Sequence, residues 1–192
     1  LSILEKIKES RLVTRFIIVL CSVIYLGELT NPNLLSQMQL DPKHPTLGQL
    51  ITSMFAHVNI VHLVINMWAL WIIGKLLEKE FGPTKFLLIY MLGGIFGGFA
   101  FLLFNNGIPA VGASGAIFAL LGILLPFTRY SKSLLQVIAL NVVVGFLLPN
   151  IAWQAHIGGL IGGFLMGIYL YEPNPVKTFL DGKLSKLRKK KN

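Results

Sequence analysis

A chain of 192 residues that is 54% hydrophobic and 13% charged, with a mean hydropathy of +0.70, has too few polar groups to cover a water-soluble surface. Its apolar residues form long runs with no amphipathic period, which excludes a soluble domain and leaves a polytopic membrane protein built from spans of about 20 residues. The net charge of +9 reads as membrane topology, and the Lys183–Lys191 cluster as a tail against anionic lipid and not a nucleic-acid surface.

Residues 1–13 read as a cytoplasmic N-terminal segment. The first apolar run, Thr14–Leu29, is too long for a signal-peptide core and is expected to be a retained span, although the chain starts at Leu1 without Met. Its Cys21 is the single cysteine, so there is no disulfide framework, and a small packed hydrophobe is the expected role. From Asn31 to Gln49 runs a loop with Pro32, Pro42 and Pro45; its Leu34, Leu35, Met38 and Leu40 suggest an amphipathic piece lying at the interface. Further spans are expected at Ile60–Leu77, Thr84–Phe104, Ser114–Thr128, Leu134–Leu148 and Ala155–Tyr171, and residues 172–192 form a basic tail. The predicted fold is an all-α six-helix transmembrane bundle over 14–171, with a short internal fourth helix starting at Ser114. An even span count puts both termini on one side. Of the 17 Lys and Arg residues, only Lys43 falls on the opposite side, so both termini are expected in the cytoplasm.

Rise per residue places the polar side chains in depth. Ser114 lies 15 residues before Arg129, about 22 Å along a helix; His156 lies 16 before Glu172, about 24 Å; His62 lies 13 before Lys75, about 20 Å, with Asn66 one turn deeper. Four polar side chains from three helices therefore share one layer of a hydrocarbon core about 30 Å thick. The fourth span is too short to cross, so Asn105–Ala113 must descend as non-helical backbone, which is tolerated only where it lines a protein-buried or watery cavity. Gly112 and Gly115, flanking Ser114, permit a tight loop-to-helix turn, and a helix N-terminus offers free N–H groups to an oxyanion.

Taken singly, each residue has a plainer role. Gly-Ala-Ser-Gly is also a small-residue packing motif, His156 could donate to a carbonyl, and Asn66 could join helices. His57, His62 and His156 could in principle hold a metal, but their spacing and the lack of nearby Cys or acid argue against one, and no cofactor is implied. The conjunction favours chemistry: Ser114 as nucleophile and His156 as its base. None of the eight acids falls in the Ser–His layer, so the pair is expected to act as a dyad. Phe118, four residues after Ser114, is the candidate ring to hold the imidazole, while His62 and Asn66 would donate to the oxyanion alongside the Ser114 N–H. Gly159-x-x-x-Gly163, with Gly93/Gly94 and Gly97/Gly98, argues for close packing of spans 3, 4 and 6.

Three signatures, His62-Leu63-Val64-Ile65-Asn66, Gly112-Ala113-Ser114-Gly115 and Ala155-His156-Ile157-Gly158-Gly159 running on to Gly163, resemble those of the rhomboid intramembrane serine proteases, most closely the bacterial GlpG type. The resemblance implies the same roles for Ser114, His156, His62 and Asn66. It further implies Glu78 as a structural acid at the inner end of span 2 and His57 near a water-entry region. It also implies a multi-pass protein of the bacterial inner membrane, with the bilayer and transmembrane segments of other proteins as partners. Substrate helices would enter sideways past span 5 and be cut near the periplasmic face. Where many members carry Trp-Arg in the first outer loop, this chain has Gly48-Gln49, and Phe118 stands where bacterial relatives often carry Tyr. Two other readings compete with this one: a rhomboid-fold pseudoprotease that binds transmembrane helices without cutting, and a proton-coupled transporter, disfavoured by the lack of repeats and of intramembrane carboxylates.

Overall fold

The computed structural model of the chain describes residues 11–105, 107–126, 135–136, 139–140 and 151–170. The described part is mostly helical: α1 (Leu12–Thr30), α2 (Pro32–Met38), α3 (Leu47–Thr52), α4 (Ile60–Phe81), α5 (Pro83–Phe104), α6 (Ser114–Leu124) and α7 (Trp153–Leu170). Among these residues, α1, α4 and α5 are long and apolar enough to cross a membrane. The expected span at Leu134–Leu148 lies outside the described residues apart from 135–136 and 139–140, and the tail from 172 onward lies outside them altogether.

Local chemistry sets the helix ends. Asn59 caps α4 by accepting the His62 N–H at 2.8 Å. Gly82, at φ +79°, breaks the chain for a single residue before Pro83 starts α5 at a position where its missing N–H costs nothing. Along α1 the apolar side chains Phe16, Val19, Val23 and Leu26 face outward, while Thr14, Ile17, Cys21 and Glu28 face the protein. An apolar exterior of this kind suits lipid, and the polar groups turned inward need protein partners.

Glu78 at the end of α4 supplies such partners. It is fully buried and accepts the Val13 N–H at 2.9 Å, the Thr14 N–H at 2.9 Å and the Thr14 hydroxyl at 2.7 Å. A carboxylate thereby satisfies the first-turn N–H groups of α1 and complements its dipole. Gly74 sits one turn above, where the Thr14 side chain lies against it.

The outer segment, in which an amphipathic piece at the interface is expected, holds more than one element. It forms two short helices, and Leu40 lies beyond the first of them, buried, in an isolated antiparallel bridge to Ala110. Gln49 works locally: it closes a capping box with Thr46 at the start of α3, and the Thr52 hydroxyl ties that helix to the Met38 carbonyl at 2.9 Å.

Among the described residues, helices α5, α6 and α7 pack most tightly. A side chain at Gly159 would meet the Gly115 carbonyl oxygen, one at Gly163 the Ala119 carbonyl oxygen, and one at Gly97 the Ala155 carbonyl oxygen at 2.8 Å. The helices thus touch backbone to backbone, as small residues permit in membranes. Gly159→Ala should lower stability by about 3 kcal/mol, because its methyl group would strike main chain that cannot rotate away. Gly48→Ala, whose nearest new contact is an ordinary 3.8 Å, should be neutral or slightly stabilising; thermal unfolding in detergent compares the two. By the same measurement Glu78→Ala should cost about 3 kcal/mol through the buried N–H groups it strands.

Candidate active site

Helix α6 begins at Ser114. The chain reaches it through a non-helical segment whose backbone groups are paired outside any helix. Leu40 and Ala110 exchange N–H···O bonds at 2.9 and 3.1 Å, and the Gly112 N–H donates to the Ser53 carbonyl at 2.8 Å. Gly112 turns the chain at φ +119°, a conformation that L side chains rarely adopt. Its missing side chain also makes room for His62: a Cβ there would lie 2.6 Å from the imidazole Cε1 and 2.7 Å from Nε2. The turn therefore brings His62 of α4 against the residues immediately before Ser114.

Across from it, α7 delivers His156. The imidazole Nε2 lies 2.9 Å from Ser114 Oγ, and the ring stacks flat on Phe118, with centroids 4.3 Å apart and planes 8° from parallel. Phe118 is one turn along α6 from Ser114, so one helix carries both the hydroxyl and the face that orients the imidazole. With a neutral ring protonated on Nδ1, Nε2 is free to accept the hydroxyl proton. Among the described residues, Nδ1 has no hydrogen-bond partner. Asn66, buried one turn below His62, donates from Nδ2 to the His62 carbonyl at 2.9 Å, which fixes its amide and leaves its second N–H for another acceptor.

His57 is fully buried in the segment before α4. Its ring meets His62 edge-on at 5.1 Å, and its Nδ1 lies 3.3 Å from the Phe55 carbonyl. Burial, and then the neighbouring His62, push His57 down to about 4, so it is neutral near pH 7. A cavity of about 30 Å³, bordered by Ser53, Met54, Gly94, Gly98, Gly112 and Ser114, lies beside the serine. That is room for about two waters. Among the described residues, no group of three His, Cys, Asp or Glu side chains is placed to hold a metal.

Three contributors have no place in the sequence reading. Ser53 offers its carbonyl to Gly112. Gln154 donates from Nε2 to the Phe104 carbonyl at 2.8 Å, pinning the start of α7 to the end of α5 two residues before His156. Glu28 brings both carboxylate oxygens to 3.4 Å from the His57 backbone nitrogen. The available signal was polarity within an apolar run, and it marks Gln154 and Glu28 as surely as it marks Asn66.

A helical bundle with an apolar outside, carrying a serine at a buried helix start beside a stacked histidine, belongs to the multi-pass membrane proteins. Residues 44–173 match the Rhomboid domain family model, and the chain belongs to the rhomboid family. It is similar to "Rhomboid protease GluP" of Bacillus subtilis (strain 168), 40% identical over 134 residues, which are 65% of this chain and 26% of that protein. It is similar to "RHOMBOID-like protein 1" of Arabidopsis thaliana at 39% over 137 residues, 65% of this chain and 35% of that protein. With "RHOMBOID-like protein 7" of the same plant it shares 32% over 177 residues, 78% of this chain and 56% of that protein. The chain thus spans between about a quarter and just over half the length of these relatives.

Gly112→Ala should cost about 3 kcal/mol, since it combines a disfavoured φ with a clash against His62. Gly107→Ala, also at positive φ but in open space, should cost about 1 kcal/mol from strain alone. Thermal unfolding of both variants in detergent checks the difference.

Proposed function

We propose that the chain is an intramembrane serine endopeptidase that cuts transmembrane helices of membrane proteins near the outer, periplasmic face, using Ser114 and His156 as a dyad. The observation that carries this reading is the 2.9 Å contact between His156 Nε2 and Ser114 Oγ at the start of a buried helix. The surrounding fold is read as a GlpG-type bundle of six spans over 14–171 in the bacterial inner membrane, with 1–13 and 172–192 cytoplasmic. The distribution of Lys and Arg supports that orientation.

In the proposed reaction Ser114 Oγ bonds to the scissile carbonyl carbon while its proton passes to His156 Nε2. The carbonyl oxygen takes up negative charge and is held by the Ser114 N–H together with donors from His62 and Asn66. Collapse of this intermediate breaks the C–N bond, and His156 returns the proton to the leaving amine. Water, deprotonated in turn by His156, then attacks the acyl-enzyme carbonyl; the bond from that carbon to Ser114 Oγ breaks, and His156 returns the proton to Oγ. The flat contact with Phe118 takes the orienting role that a third polar residue plays in triads. A substrate helix has its amides satisfied internally, so the bond to be cut must first unwind at small or helix-breaking residues.

Proteolysis of a single-span reporter with a small-residue outer segment, in detergent and in liposomes, tests the reading. Ser114→Ala and His156→Ala should each lower kcat by about 10⁴-fold or more. Cleavage that survives Ser114→Ala would overturn the assignment, and a wild type that binds the reporter without cutting it would identify a rhomboid-fold binder instead.

A further inference from the structure

We infer that Glu28 is a positioning residue for the oxyanion-binding side of the site, acting through His57 on His62; the inference rests on the peptidase reading for its kinetic consequence. Glu28 lies near the outer end of α1, turned toward the protein and only 9% exposed, in a helix whose outward-facing side chains are mostly apolar. A carboxylate in that setting is costly unless protein groups meet it. It is met by the His57 backbone N–H, which both oxygens approach at 3.4 Å.

The contact fixes the segment 53–59 at two points. At one, Glu28 holds the His57 main chain. At the other, the Ser53 carbonyl holds the Gly112 N–H, two residues before the serine. Between them the His57 ring rests edge-on against His62, 5.1 Å between centroids, and is itself tied to the Phe55 carbonyl. Among the described residues, the His62 Nδ1 has no hydrogen-bond partner, so no hydrogen bond there fixes the ring. Packing must fix it instead: Gly112 lies on one part of the imidazole and His57 on another. Moving His57 frees His62, and a donor misaimed by even an ångström loses much of its effect on developing charge. Glu28 touches neither substrate nor reacting atoms.

Because the effect falls on an interaction made in the transition state, Glu28→Ala should lower kcat about tenfold and leave KM within about twofold. Glu28→Gln, which keeps an acceptor for the His57 N–H, should recover most of the loss. In a His62→Ala background, Glu28→Ala should add nothing further, because the donor it positions is gone. A second readout does not depend on cleavage. The chain has four histidines, so 15N-histidine labelling in detergent resolves each imidazole. Glu28→Ala should shift the His57 and His62 signals and leave that of His44 in place. If Glu28→Ala fails to fold, His57→Ala, which removes the ring packed on His62, should lower kcat and shift the His62 signal in the same way, with Glu28→Gln as the control that keeps the contact. An unmoved His62 signal, or an equal loss of kcat with and without His62, overturns the proposal. A wild type that never cleaves but shows the shifts would end the peptidase reading alone and support the positioning role.

Discussion

Everything in this molecule answers to one constraint: inside hydrocarbon, each backbone N–H and C=O must find a partner within the protein. A serine at a helix start conflicts with that rule, because first-turn N–H groups are unpaired by construction. The chain resolves the conflict by enclosure. The non-helical approach to Ser114 is paired strand-like to Leu40 and tied to Ser53. Around α6, the glycine faces of α5 and α7 close to main-chain contact. A small cavity lined by protein lies beside the start of that helix.

The same rule governs charge. Two carboxylates lie buried along α1, and each is met by backbone N–H groups: Glu78 by those of Val13 and Thr14, Glu28 by that of His57. One ties the start of α1 to the end of α4, and the other ties its far end to the segment that leads into α4. The helix is thereby fastened at both ends by polar contacts, with van der Waals packing of Ile17 and Cys21 between them.

How much of this could be read beforehand depends on how far a residue's meaning is local. The placement of Ser114, His156, Phe118 and the glycines was legible because helical rise and spacing fix depth and facing along one element, and the structure brings Ser114, His156 and Phe118 together. The starts of α4, α5 and α6 fall within a residue of the expected ones, since Asn, Pro and Gly punctuate them. The loop between α1 and α4 was not legible. Leu40 reads as one more apolar residue of an interfacial helix, and only the return of the chain at Ala110 reveals its bridging position. Gln154 and Glu28 are likewise given meaning by partners 50 and 29 residues away, Phe104 and His57, which no local pattern announces.

The backbone contact between α6 and α7 has a consequence for how such a site tolerates change. His156 and Ser114 are 42 residues apart, and their meeting is set largely by carbonyl oxygens resting where glycines leave room. Those atoms are common to every amino acid. The outward residues of α1 and α4, from Phe16 to Trp68, meet lipid and ask for little beyond apolarity. Those outward positions can therefore drift in identity while Ser114 and His156 keep their register, and much of the information that locates the pair is concentrated in a handful of positions with no side chain at all.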